Sequence, residues 1–160
     1  MFKAAKEVKD AHLAAELGRL AYWMIDLALP YRTMNDPFAI RGNPRFCTQY
    51  NNSETGENIG PMLSGTASWL NLSLLAAFGV EHTVEGLKID PILREKETTL
   101  TLTLNPGKTS YKIRIEKPPG FYRMKDRRAD LMLDHYRLNS DLIPVCADSA
   151  EHLVEVYFRP

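Results

Sequence analysis

In TTLTLTLN (residues 98–105) and SYKIRIEK (residues 110–117) apolar and polar residues alternate strictly. A helix would scatter Leu100, Leu102 and Leu104 around its circumference; only an extended chain puts them on one side. Tyr111, Ile113 and Ile115 alternate against basic residues in the same way, so both segments read as half-buried strands. Between them Asn105-Pro106-Gly107-Lys108 carries proline and glycine at the central positions of a type II turn. EHLVEVYF (151–158) alternates again, and shorter strands are expected around Leu131–Leu133 and Leu142–Val145. Residues 80–160 are therefore expected to form an antiparallel sheet or sandwich.

Residues 1–79 follow another period. Phe2, Ala5, Val8, Leu13, Leu17, Leu20, Met24 and Leu27 fall close to helical spacing, with Asp10 placed to cap a second helix after a short break. Gly18 is expected to loosen its middle, and Pro30 to end the run. No Ser, Thr, Asp or Asn precedes Phe2 to cap the first turn, so the segment reads as a continuation of something longer. Residues 31–65 read as loop. TASWLNLSLLAAFG (66–79) then gives a helix that is apolar on nearly every side, closed by Gly79. Such a helix is expected to be buried all round, within a larger helical assembly. The fold class is thus α+β, divided at residues 79/80.

Composition narrows the function classes. Twenty basic and twenty acidic residues in a chain of 160 leave no net charge, so nothing favours nucleic acid or an anionic membrane surface as partner. No leader and no membrane-length apolar run are read, which points to a cytoplasmic protein. Cys47 and Cys146 lie far apart, a spacing compatible with two thiols or with one disulfide.

Candidate chemistry is sparse. His12, His82, His135 and His152 are scattered without metal-ligand spacing and read as surface groups, so no metal is expected. Ser64 is not part of a nucleophile elbow. Ser64-Gly65-Thr66 ahead of an apolar helix admits two readings: an anion cradle of N–H groups, hydroxyl and helix dipole, or a plain cap, and composition alone favours the cap. Glu54 and Glu57 would suit an acid–base pair, but loop carboxylates are solvated by default.

Residues 65–93, GTASWLNLSLLAAFGVEHTVEGLKIDPIL, resemble the hallmark stretch of glycoside hydrolase family 94, the cellobiose phosphorylase relatives. The residues that carry it are Ser64-Gly65, Trp69, Phe78-Gly79, Glu85-Gly86-Leu87 and Ile89-Asp90-Pro91; LIPV and EHLVEVYF are similar to the family's closing strands. RGNPRFCTQYNNSETGENIGPMLSGT (41–66) is most similar to the β-1,2-oligoglucan and laminaribiose phosphorylase branches, and cyclic β-1,2-glucan synthases carry a related module.

The resemblance implies the last helices of an (α/α)6 barrel followed by a two-layer β-sandwich. It implies inverting phosphorolysis, in which phosphate attacks the anomeric carbon of a β-glucoside and releases α-glucose 1-phosphate. Ser64, Gly65 and Thr66 would bind phosphate, and Gln49, Asn51, Glu54 and Glu57 would face sugar. The general acid, the arginines and a phosphate-binding histidine of the family would precede Met1, leaving no catalytic residue in this chain. Phosphate would be a co-substrate, with no cofactor. The expected partners are a β-glucan oligosaccharide, phosphate, and either the missing N-terminal part of the enzyme or a second copy. A different class stays open: a carbohydrate-binding or structural β-sandwich module without catalysis.

Overall fold

The computed structural model describes residues 1–29, 48–55, 57–61, 64–126 and 129–159. The chain is mixed α+β and divides into two compact units, Met1–Ala76 and Ala77–Pro160.

The first unit opens with α1 (Phe2–Glu7) and α2 (Ala11–Ala28). Val8 adopts extended dihedrals, which breaks the helix, and Asp10 restarts it: its carboxylate accepts the Leu13 N–H at 2.9 Å. Phe2 meets Tyr22 edge-on, with ring centroids 5.1 Å apart. The buried face of α2 differs from the expected stripe. Ala14, Gly18, Ala21, Tyr22, Ile25 and Ala28 are buried, whereas Leu13, Leu20 and Met24 are exposed. At 100° per residue these two sets occupy separate arcs of the helix, with centres roughly 110° apart. The buried side is built largely from small residues, Gly18 among them, and the large apolar groups are left outside. Trp23, 52 % exposed, joins that outer face.

A two-stranded antiparallel hairpin, β1 (Thr48–Asn51) and β2 (Asn58–Pro61), occupies part of what reads as loop in the sequence. It leads to α3 (Ser64–Phe78). Within this chain α3 is not buried all round: Trp69 and Leu72 are exposed, and only Ala77 of its described side chains is buried. Among the described residues no helix is long and apolar enough to cross a membrane.

In the second unit, β3 (Val80–His82), β4 (Leu87–Ile89) and β9 (Leu142–Ile143) form one sheet in the order β3-β4-β9. A larger sheet has the order β5-β6-β10-β7-β8, from β5 (Thr99–Leu104), β6 (Ser110–Glu116), β7 (Ala129–Leu133), β8 (Tyr136–Arg137) and β10 (Glu151–Phe158). The expected alternation holds: Tyr111, Ile113 and Ile115 are buried, with Leu100, Leu102 and Leu104 packed against them. Gly107 has φ +73°, the left-handed region that glycine adopts freely, and the turn centres on Gly107 and Lys108, one residue later than expected. The sheet is not purely antiparallel, however. β10 runs parallel to β6, with Val154 opposite Ile113, and antiparallel to β7, with Val154 opposite Leu133. Residues 117–150 carry the chain from β6 to β10, the long crossover that parallel neighbours need. Leu87, Ile89 and Ile143 of the small sheet share one core with Tyr111, Ile113, Leu131, Val154 and Val156 of the large one.

Two buried cations brace the crossover. Lys117 Nζ donates to the carbonyls of Gly120 at 2.8 Å and Glu95 at 3.2 Å, and burial lowers its pKa. Arg123, only 2 % exposed, is held by the Asp126 carboxylate through two hydrogen bonds, that from Nη2 measuring 2.8 Å.

Candidate functional site

The polar stretch that precedes α3 turns by using its own side chains. Asn52 Oδ1 accepts the N–H groups of Glu54 (2.8 Å) and Thr55 (3.2 Å), and Asn52 N–H donates to the Glu57 carbonyl at 2.9 Å. Thr55 Oγ1 accepts the Glu57 N–H at 3.3 Å. This is the chain reversal that Asn and Thr favour because their side chains imitate a backbone turn. Gln49 and Asn51 stand on β1, Glu54 is exposed in the turn, and Glu57 is half-buried just before β2. Ser64, Gly65 and Thr66 are the first three residues of α3, where backbone N–H groups have no partner within the helix. The residue before them, Leu63, and also Pro30, Cys47 and Gly56, lie outside the described residues.

At the other end of α3 the motif residues act through the backbone. Gly79 has φ +66°, and a Cβ built there would lie 1.8 Å from the Asp90 carbonyl oxygen. Its own carbonyl accepts the Asp90 N–H at 3.1 Å, and Ala77 accepts the Ile92 N–H at 2.7 Å. Gly86 comes so close to β9 that a Cβ would sit 2.4 Å from the Ile143 oxygen. Phe78-Gly79, Gly86-Leu87 and Ile89-Asp90-Pro91 thus knit the end of the helix to the small sheet.

A second constellation is not foreseen in the sequence. His152 Nδ1 pairs with Asp134 Oδ2 at 2.7 Å, and its Nε2 with Asp148 Oδ2 at 3.0 Å. The imidazole, 12 % exposed, stacks on Tyr111 with centroids 5.2 Å apart. Tyr111 Oη in turn accepts the Cys146 N–H at 2.6 Å and donates to the Pro144 carbonyl at 3.0 Å. Asp134 Oδ1 also accepts the Leu153 N–H at 2.8 Å. Cys146 carries a free thiol, and its Sγ, an Asp148 oxygen and a His152 ring nitrogen lie within 4.8 Å of one another. The local signal was Cys146-x-Asp148-x3-His152; the pairing of β7 with β10 that brings in Asp134 has no trace in local sequence.

The electrostatics of this cluster have a definite sign. The hydrogen bond to Asp134, with Asp148 adding to it, raises the His152 pKa. The bond to His152 lowers that of Asp134, and the Ala150 N–H lowers that of Asp148. The imidazolium's contribution is complete below its unfolded pKa and is lost as pH rises through the folded value. The carboxylates contribute above their unfolded pKa and lose it as pH falls through theirs. In the metal-free chain this part of the stability is therefore greatest between roughly pH 4 and 6.5. Thermal melting is expected to show more stability at about pH 5.5 than at about pH 8.5, with the difference shrinking in His152→Gln. An undiminished difference in that variant would assign it to other groups.

The second unit also holds an open cleft of about 560 Å³, whose lining includes Lys88, Asp90, Lys125, Arg137, Asn139 and Asp141. Lys88 reaches Asp141 at 4.0 Å, and Arg137 pairs with Asp130 at 2.6 Å.

No protein-family model matches the chain, and no curated protein matches it.

Proposed function

We propose that the chain is the C-terminal portion of an inverting β-glucoside phosphorylase, a cytoplasmic glycosyltransferase of carbohydrate metabolism. On this reading residues 1–79 are the last helices and an active-site loop of an (α/α)6 barrel, and residues 80–160 its two-layer β-sandwich. The observation that carries it is the delivery of Ser64-Gly65-Thr66, by a polar hairpin, into the first turn of a fifteen-residue helix. N–H groups and the helix dipole favour an anion there. Phosphate is itself the nucleophile, so the reaction needs no second carboxylate as base and no cofactor. Gln49, Asn51, Glu54 and Glu57 then line the sugar side.

The outer face of α2 supports the barrel. Leu13, Leu20, Trp23 and Met24, with Trp69 and Leu72 of α3, are large apolar groups in water. Covering the half of each that remains exposed is worth about 1 kcal/mol, and the missing barrel helices are the proposed cover. Without them the isolated chain is expected to self-associate with rising concentration, and Leu20→Glu with Trp23→Glu to reverse this. A strictly monomeric parent in sedimentation at high concentration would count against the barrel.

The general acid belongs to the preceding barrel segments. The isolated chain is therefore expected to release no glucose 1-phosphate from sophorose, laminaribiose or cellobiose with phosphate. Release above the blank would overturn that placement of the acid.

The cleft of the second unit favours one alternative, a carbohydrate-binding module without catalysis. Its volume suits a small saccharide, and its mixed amide and charged lining offers donors and acceptors. Amide chemical-shift changes on adding a β-glucan oligosaccharide separate the two: changes at residues 48–66 support the phosphorylase, and changes confined to 88–90 and 137–141 support the module.

A further inference from the structure

We infer that Cys146, Asp148 and His152 form a binding site for a transition-metal ion of the zinc class, with Asp134 as the group that orients the histidine. This departs from the metal-free expectation of the sequence and is independent of the phosphorylase reading. Thiolate sulfur, imidazole nitrogen and carboxylate oxygen are the donor types zinc takes, and three protein donors leave a fourth tetrahedral position for water. Their potential ligand atoms already lie within 4.8 Å of one another, so small side-chain adjustments close them on an ion.

The surrounding structure holds each donor in place before any ion arrives. Asp134 Oδ2 engages His152 Nδ1 at 2.7 Å, leaving Nε2 directed at Asp148. A carboxylate on the far ring nitrogen is the usual companion of a metal-bound histidine, because it sets the tautomer and the ring plane. Tyr111 stacks on the same ring and fixes its tilt. Cys146 is anchored on both sides of its peptide, its N–H on Tyr111 Oη at 2.6 Å and its carbonyl on Thr109 Oγ1 at 2.8 Å. Asp148 Oδ1 accepts the Ala150 N–H at 3.0 Å, while Ser149 N–H donates to Thr109 Oγ1 at 3.3 Å. Thr109 is itself buried, which makes it a firm post for this loop. On binding, the metal takes the lone pairs of Sγ and Nε2. The thiol proton and the Nε2 proton leave to solvent, the Nδ1 proton stays on the Asp134 hydrogen bond, and no oxidation state changes.

The test uses the full chain carrying Cys47→Ser, so that only one thiol remains. Cobalt(II) titration is expected to give the ultraviolet thiolate-to-metal absorption at one ion per chain, displaced by zinc, with proton release on either metal. Cys146→Ser should abolish the absorption, His152→Ala should weaken binding at least about 10-fold, and Asp134→Asn should weaken it about 10- to 100-fold. Circular dichroism of the metal-free Cys146→Ser protein, unchanged from its parent, shows that the fold is retained. If that variant is misfolded, cobalt(II) titration of the parent at pH values on either side of neutrality decides instead, because ligation by thiolate requires affinity to rise with pH. Absence of the thiolate absorption in the parent, its persistence in Cys146→Ser, or affinity independent of pH would overturn the assignment.

Discussion

Gly79→Ala is expected to destabilise the second unit by roughly 2–5 kcal/mol. Two costs add: about 1–2 kcal/mol for an L-residue in the left-handed region, and about 1–3 kcal/mol for forcing in volume. The volume cost arises because the new Cβ would stand 1.8 Å from the Asp90 carbonyl oxygen. A flexible side chain would swing away; a backbone carbonyl whose own residue donates an N–H to Gly79 does not. Gly107 is the control. Its φ of +73° is similar, but nothing lies within 4 Å of the position a Cβ would take. Gly107→Ala should therefore cost only the conformational part, about 1–2 kcal/mol. Urea unfolding of the two variants measures the difference. Equal losses would mean that the close approach of the helix end to Asp90 contributes nothing.

On the phosphorylase reading, Ser64→Ala is expected to weaken the apparent affinity of the complete enzyme for phosphate by roughly 10- to 150-fold. That is the loss of one hydrogen bond to a charged ligand, about 1.5–3 kcal/mol, converted to a dissociation constant. Gly65→Val should be worse, since a branched side chain crowds the approach of phosphate to the backbone. The rate at varied phosphate and fixed disaccharide gives the answer. An unchanged phosphate dependence with an altered sugar dependence would make the first turn of α3 a reader of sugar, together with Gln49, Asn51, Glu54 and Glu57.

How much of this was legible in the sequence depends on whether the information is local. Strand alternation is local, and Leu100, Leu102, Leu104, Tyr111, Ile113 and Ile115 face the core as their period requires. Asp10 as a cap and Gly79 as a helix stop are local too. Strand direction is not, because a period of two is the same whether the neighbour runs parallel or antiparallel; β6 and β10 therefore escaped the antiparallel expectation. The buried face of α2 departs from the expected stripe because side-chain size alone does not decide burial. Ala14, Gly18 and Ala21 are buried, while Leu13 and Leu20 remain outside. The hairpin β1–β2 was hidden by its polar composition, although Asn52 and Thr55 are the residues that close its turn.

The candidate sites divide in the same way. The start of α3 is a local pattern, although the helix begins at Ser64, two residues before the expected Thr66. The His152 cluster was not visible. Asp134 arrives through the antiparallel register that sets Leu133 opposite Val154, and Tyr111 through the parallel register that sets it opposite His152. Much of the motif string that suggests a phosphorylase turns out to have a packing role. Gly79, Gly86, Ile89 and Asp90 tie helix to sheet, so packing accounts for these residues without any reaction.

The reaction itself is tested by translating the whole reading frame that contains this sequence and assaying its product with phosphate and each of sophorose, laminaribiose and cellobiose. The phosphorylase reading predicts α-glucose 1-phosphate from at least one of the three. A product that binds a β-glucan oligosaccharide yet forms no sugar phosphate from any of them would contradict it, and would leave the chain as a carbohydrate-binding module.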